Sequence, residues 1–194
     1  MTLRRLPSPR TAGTLSLEEA MARRRSVREL AGPPLTDAEI AQLLWAANGV
    51  TDDTGRRTVP APGGIRGIDV YAVTPDGVLH DDDGNGIVSV VSPDDRRAAL
   101  AAAAGGQACV AAAAVTLAIV SVPARVEARY GARTIRYVTL EAGHAAQNVL
   151  LEAVSLGLAS VPVGSFDDDA VAGVLGVPRG QIPLYLLPIG HAPA

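Results

Sequence analysis

Residues Leu140 to Leu158 read LEAGHAAQNVLLEAVSLGL. Apolar side chains fall on more than one face of a helical period here. A helix over roughly Arg136 to Leu156 must therefore be covered by protein on several sides. Gly157 ends it, and Leu158 to Val163 follows at once as a strand. Further strands are predicted at Ile68 to Val73, Ile87 to Val91, Val115 to Val120 and Leu184 to Ile189. Helices and strands are mixed without regular alternation, which predicts an α+β fold rather than a doubly wound sheet.

The remaining helix starts are written in capping chemistry. Ser16 with Glu19 forms a capping box, and so does Thr36 with Glu39, where Leu35 and Ile40 add a hydrophobic staple. The second of these helices should run through Trp45 and leave by a left-handed turn at Asn48-Gly49. Ser92-Pro93 reads as an N-cap followed by proline, and Asp167 opens another helix. Residues 51–67 form a loop rich in Gly, Pro and Arg, long enough to suspect a function. Residues 1–15, rich in Pro and Arg, read as a flexible lead-in to a single domain over 16–194.

Composition narrows the function classes. The chain has 194 residues, 48% hydrophobic, with a formal net charge of −3. Its mean hydropathy is +0.22, high enough to call for a large core or an apolar face shared between subunits. No continuous basic stripe is present, which argues against nucleic acid as a partner. The single cysteine, Cys109, is set among alanine and valine and fits a buried residue in a reducing cytoplasm. Residues 98–124 carry no charge, yet Gly105, Gly106, Gln107 and Pro123 interrupt them, so no membrane span is expected. The arginines of the first ten residues are followed by no apolar core, and no secretory signal is expected.

The chemistry concentrates at Arg23, Arg24, Arg25 and Arg28, four of the seventeen cationic side chains, with Ser26 among them and no lysine anywhere. Guanidinium groups grip phosphate through paired N–H donors, and a hydroxyl adds one more. A solvated helix end explains part of the patch equally well through the dipole. His144 on an apolar segment reads as a satisfied core histidine more readily than a catalytic one, and His191 as incidental. Asp167, Asp168 and Asp169 suit helix capping better than a metal. Asp81, Asp82 and Asp83 lack the downstream pattern of a calcium loop and read as part of a solvated turn reaching Gly86. No metal site is expected.

Four segments together resemble the FMN-dependent nitroreductase superfamily, and within it the SagB-type dehydrogenase subgroup: RRSVR (Arg24 to Arg28), PAPGGI (Pro60 to Ile65), the helix of Leu140 to Leu158, and VPVGSFDDDAVAGVLGV (Val161 to Val177) leading into PLYLLPIG (Pro183 to Gly190). The resemblance implies a three-layer sandwich with a central mixed sheet flanked by helices. It also implies a homodimer holding one FMN at each of two interface sites. It assigns Arg24 and Ser26 to the FMN phosphate and ribityl chain, with Arg25 beside them, and Arg28 to the pyrimidine edge of the flavin. Pro60, Ala61, Pro62 and Gly63 match a loop that approaches the ring from the partner subunit. Pro162, Val163, Gly164 and Ser165 match a turn whose amides face flavin N5 and O4.

The implied activity passes hydride from NAD(P)H or an organic donor through flavin N5 to a quinone, nitroaromatic or similar small-molecule acceptor. Two other readings stand beside it: an azoline or peptide dehydrogenase in a biosynthetic pathway, and a scaffold that has lost its flavin. The azole-forming relatives use a lysine–tyrosine pair as a base. Here Arg136-Tyr137 is the nearest arrangement, and arginine is too basic to accept a proton at neutral pH. Many relatives also carry a basic residue beyond the last glycine that touches the phosphate, a contact this sequence lacks.

Overall fold

In the computed structural model, which describes residues 2–81 and 83–193, seven strands form one sheet. They are β1 (Thr2–Arg5), β2 (Ile68–Thr74), β3 (Gly77–Asp81), β4 (Ile87–Ser92), β5 (Val115–Ser121), β6 (Ala159–Ser160) and β7 (Ile182–Gly190), in spatial order β1-β4-β3-β2-β5-β7-β6. Every ladder between these strands is antiparallel. Among the described residues, the expected mixed character comes from one isolated parallel bridge, Ser26 to Ser160.

Period-two alternation sorts the strand residues between two cores, which is what makes three layers. Ile68, Val70, Ala72, Leu117 and Ile119 face α2 (Asp37–Asn48) and α6 (Thr134–Ser155). Tyr71, Val73, Ala118 and Val120 face α3 (Arg97–Ala103), α4 (Ala108–Ala112) and α7 (Asp168–Leu175). Residues 98–124 divide between α3, α4 and β5, and no helix of the described residues is long and apolar enough to cross a membrane. Cys109 is buried in the second core.

Both capping boxes form, at Ser16 ahead of α1 (Leu17–Arg23) and at Thr36 ahead of α2, and the staple residues Leu35 and Ile40 are both buried. Asp167 caps α7 by accepting the Ala170 N–H at 2.8 Å. Two expected signals are corrected. Gly49 has φ −67°, so it is no left-handed exit. Glycine is needed because a Cβ would lie 2.2 Å from Cδ1 of Trp45. Ser92 caps no helix either, since it ends β4 and its Oγ accepts the Asp94 N–H at 3.2 Å in a tight turn; α3 begins only at Arg97.

The lead-in expected to be flexible is tied to the fold at several of its described residues. Thr2–Arg5 pairs with β4 in the same sheet, and Leu6 is buried. Arg4 grips the Asp37 carboxylate at 2.5 and 2.6 Å. Gln42 accepts the Arg10 N–H at 2.7 Å and donates to its carbonyl at 3.0 Å. Asp82, expected in a solvated turn, lies outside the described residues.

Candidate functional site

The RRSVR segment leaves the end of α1 and runs along the β6 edge of the sheet. Ser26 pairs with Ser160, and the Val27 N–H donates to the Ser160 carbonyl at 2.9 Å. The four cations of the patch then separate by role. Arg23 pairs with Glu19 one turn back. Arg25 folds onto the helix end, donating to the carbonyls of Ala22 at 2.9 Å and Arg24 at 2.8 Å, which satisfies C-terminal acceptors. The guanidinium groups of Arg24 and Arg28 have no hydrogen-bond or ion-pair partner among the described residues. Two guanidinium groups on one short segment of an acidic protein are therefore available for an anion.

From Ser160 the chain passes directly into the Pro162–Ser165 turn, so the first and last sequence-predicted segments meet at one sheet edge. Val163 is fixed by exchange with Leu186 at 2.8 and 3.0 Å, and the Ser165 carbonyl accepts from Gln107 at 2.9 Å. Gly164 and Ser165 are exposed, and their N–H groups have no protein acceptor among the described residues. A Cβ on Gly164 would meet only Tyr185, at 3.7 Å, so no contact within this chain demands glycine there. The bare backbone leaves room for a flat ligand to reach two open donors.

The Pro60–Gly63 loop sits elsewhere, ahead of β2 and against α5 (Pro123–Tyr130) and α6. No hydrogen bond joins it to either of the other two segments among the described residues. Gly63 has φ +57°, and a Cβ there would come 2.3 Å from the Tyr130 hydroxyl. Tyr137 lies beside this loop through Tyr130, the two rings meeting edge-on at 4.9 Å, and Arg129 stands 5.5 Å from the centre of the Tyr130 ring.

Sequence reading missed a buried charge cluster behind the loop. Asp69 on β2 is 1% exposed and holds Arg125 in a two-point ion pair, with Arg66 Nη2 at 3.3 Å and His80 Nε2 at 3.4 Å. Burial would raise the Asp69 carboxyl, but His80, Arg125 and Arg66 together outweigh it and hold the group below the usual range. Asp81 is pushed up to about 6 by burial, against the pull of the Gly84 N–H and the nearby cations. Glu141 on α6 is pushed up to about 7 by burial, opposed by the Gly67 N–H and by Arg66, Arg57 and Arg125. No local signal singles out Glu141, which shares its helical stretch with His144, Gln147, Asn148 and Glu152. His144, expected in the core, is exposed on α6.

A cleft of about 430 Å³ between residues 10–20, α2 and the second half of α6 is lined in part by Gln42, Trp45, Asn148 and Glu152 and holds none of the predicted residues.

Comparison with known proteins defines the class first. The chain superposes on a Ralstonia eutropha protein solved as a nitroreductase with a TM-score of 0.88, at 28% identity, over 99% of this chain and 90% of that one. It shares its fold with the NADPH:FMN oxidoreductase of Vibrio harveyi, solved with NAD+, at a TM-score of 0.69 and 22% identity, over 92% of this chain and 69% of that one. A Methanocaldococcus jannaschii protein bearing a nitroreductase name, MJ1384, is 38% identical over 185 residues, 91% of each chain. The Nitroreductase family profile matches residues 21–191. This chain belongs to the nitroreductase family and is an oxidoreductase.

Proposed function

We propose that the protein is a cytoplasmic, FMN-dependent homodimer that takes hydride from NAD(P)H or an organic donor and reduces a quinone, nitroaromatic or similar acceptor. Within its family we place it beside the SagB-type dehydrogenases. The observation that carries this reading is the pair of uncommitted guanidinium groups, Arg24 and Arg28, on the segment bridged to the strand that leads into the Pro162–Ser165 turn. Arg24 and Ser26 hold the phosphate and ribityl end, and Arg28 faces the pyrimidine edge, where a cation stabilises negative charge. The free Gly164 and Ser165 amides orient the ring. Bound FMN supplies the hydride-accepting centre.

The separation of the segments supports the dimer. Pro60–Gly63 belongs to the flavin site only if it reaches the site of a second subunit. The faces that would pair are apolar and exposed: Leu17 and Met21 on α1, Ile135 and Leu140 on α6.

Purified protein reconstituted with FMN should show flavin absorbance, bleached anaerobically by NADH or NADPH. A colourless protein after reconstitution would instead establish a scaffold. The position of Tyr137 beside the loop favours one second reading, an azoline or peptide dehydrogenase with this phenol as base. Arg136 stands where the lysine partner of such a base would be, and arginine is too basic to accept a proton at neutral pH. Tyr137→Phe is therefore expected to keep NAD(P)H:acceptor turnover largely intact. Efficient azoline oxidation by the wild type, abolished in Tyr137→Phe, would replace the reductase reading.

A further inference from the structure

The Pro60–Ile65 loop is tied down at both ends by one helix. On its entry side, Asn148 of α6 donates from Nδ2 to the Thr58 carbonyl at 3.0 Å. On its exit side, both carboxylate oxygens of Glu141 accept the Gly67 N–H, at 3.0 and 3.2 Å. These residues lie about two turns apart on α6, hence on the same face, with buried Ala145 between them. Gly67 itself is packed so closely that a Cβ would fall 2.6 Å from Val138 and 2.9 Å from Glu141 Oε2. The glycine lets the backbone come within reach of the carboxylate.

We infer that Glu141 and Asn148 are positioning residues which clamp the Pro60–Ile65 loop from α6 and thereby set the affinity of the flavin site that this loop completes. The inference rests on the functional reading above, because it needs the loop to touch FMN. Both residues act through the loop backbone, at Thr58 and Gly67.

Three features set this clamp apart from ordinary packing. Among the described residues, Pro60–Ile65 is held by few bonds of its own: two short turn bonds, Gly64 N–H to Ala61 and Ile65 N–H to Pro62, and a 3.4 Å contact from Arg129 to the Gly63 carbonyl. The tie at Gly67 is made by a buried acid, whose acceptor strength changes with its charge. The groups that set that charge are also loop-flanking: Arg66 is next to Gly67, and Arg57 near the loop's start bonds the carbonyls of Asn48 and Asp83 at 2.8 and 3.0 Å. Arg125 of α5 approaches from the other side while engaged with Asp69 of β2, which His80 of β3 also faces, and Asp81 ends β3 nearby.

The sign of the effect follows. The ionised carboxylate is the stronger acceptor, so the loop is held best above the Glu141 pKa of about 7 and released as pH falls through it. Global stability responds oppositely, because a buried acid with a raised pKa favours the folded state in its neutral form, and that contribution fades as pH rises through about 7. A residue with only a packing role would not divide loop order from global stability in this way.

The test uses the full chain with Glu141→Gln, Asn148→Ala and the wild type, over pH 6 to 8.5. Amide hydrogen exchange across 58–67 reads the clamp, quenching of flavin fluorescence reads FMN affinity, and apoprotein melting reads stability. In wild type, the protection of these amides relative to their intrinsic exchange rates should fall as pH drops through 7, and FMN affinity with it. Glu141→Gln should lose the step in protection near pH 7, with affinity lowered roughly threefold to tenfold at pH 8 and an apoprotein at least as stable as wild type there. Asn148→Ala should weaken FMN by a similar factor while keeping the pH step. Unchanged exchange at 58–67 in both variants overturns the clamp and leaves the flavin assignment standing. Faster exchange with unaltered FMN affinity overturns the link between clamp and cofactor. A wild type that binds no FMN at any pH removes the functional reading and this inference with it.

Discussion

Asp69→Ala is expected to lose about 3 kcal/mol of folding stability at neutral pH, the largest effect of any single polar substitution considered for this protein. Asp69 is 1% exposed, while the side chains of Arg66 and Arg125 keep 15% and 30% exposure. Removing the acid takes the shared carboxylate from two partly buried cations, which is the costly way to break a buried pair. Their residual exposure keeps the loss at the lower end of the range for such pairs, roughly 3–5 kcal/mol. The pH dependence has a definite sign. Asp69 is held below its ordinary pKa in the folded state, so its contribution is complete above the unfolded value near ~3.9 and is lost as pH falls further. Urea titrations at pH 7 and below about 4 should show the gap between variant and wild type narrowing in acid. A variant within about 0.5 kcal/mol of wild type at pH 7 would mean that the cluster contributes nothing to folding.

Arg24→Ala is expected to weaken FMN binding by roughly ten- to a hundredfold, the equivalent of about 1.5–3 kcal/mol for a charge-assisted phosphate contact. The basis is the division of labour along the segment. Arg23 and Arg25 are spent on Glu19 and on helix-end carbonyls, whereas Arg24 is half-buried and uncommitted. Arg25→Ala serves as the internal control, since it removes a neighbouring charge but mainly loosens the end of α1. Equal loss of FMN affinity in the two variants would reduce the patch to a diffuse positive potential. No loss in Arg24→Ala would reduce it to a helix end.

What the sequence revealed, and what it hid, follows from how local each signal is. Capping boxes at Ser16 and Thr36 are written in four adjacent residues, and both form. The buried face of α6 is a periodic signal over many residues, and its predicted extent, Arg136 to Leu156, differs from Thr134–Ser155 by only a residue or two. By contrast β1 is an edge strand whose pairing with β4 is entirely backbone, and its arginines, which suit an edge, disguised it as a loop. The strand β3 was passed over because the turn that creates it, Pro75-Asp76-Gly77, was not weighed; Thr74 Oγ1 donates to the Gly77 carbonyl at 3.0 Å to close it.

The candidate site is legible in parts: motifs in the sequence mark both segments that meet at β6 and the loop that stands apart from them. The assignment of individual arginines was not readable, because which guanidinium turns back onto a carbonyl depends on the helix end in three dimensions. The acids behind the loop were invisible for a related reason. Asp69 and Arg125 are distant in sequence, and only the fold brings them together.

The central claim is that one flavin site takes its arginines from one subunit and its Pro60–Gly63 loop from the other. Co-expression of two differently tagged chains tests it directly. One chain carries Arg24→Ala with Arg28→Ala. The other carries Gly63→Val, which places a side chain at φ +57° with its Cβ 2.3 Å from the Tyr130 hydroxyl. Each chain alone should form dimers that retain little FMN. In a heterodimer selected by both tags, shared sites concentrate both defects in one site and leave the other intact, so about one FMN per dimer should be recovered. A heterodimer as empty as its parents, or a stable FMN-loaded monomer of the wild type, would contradict the account.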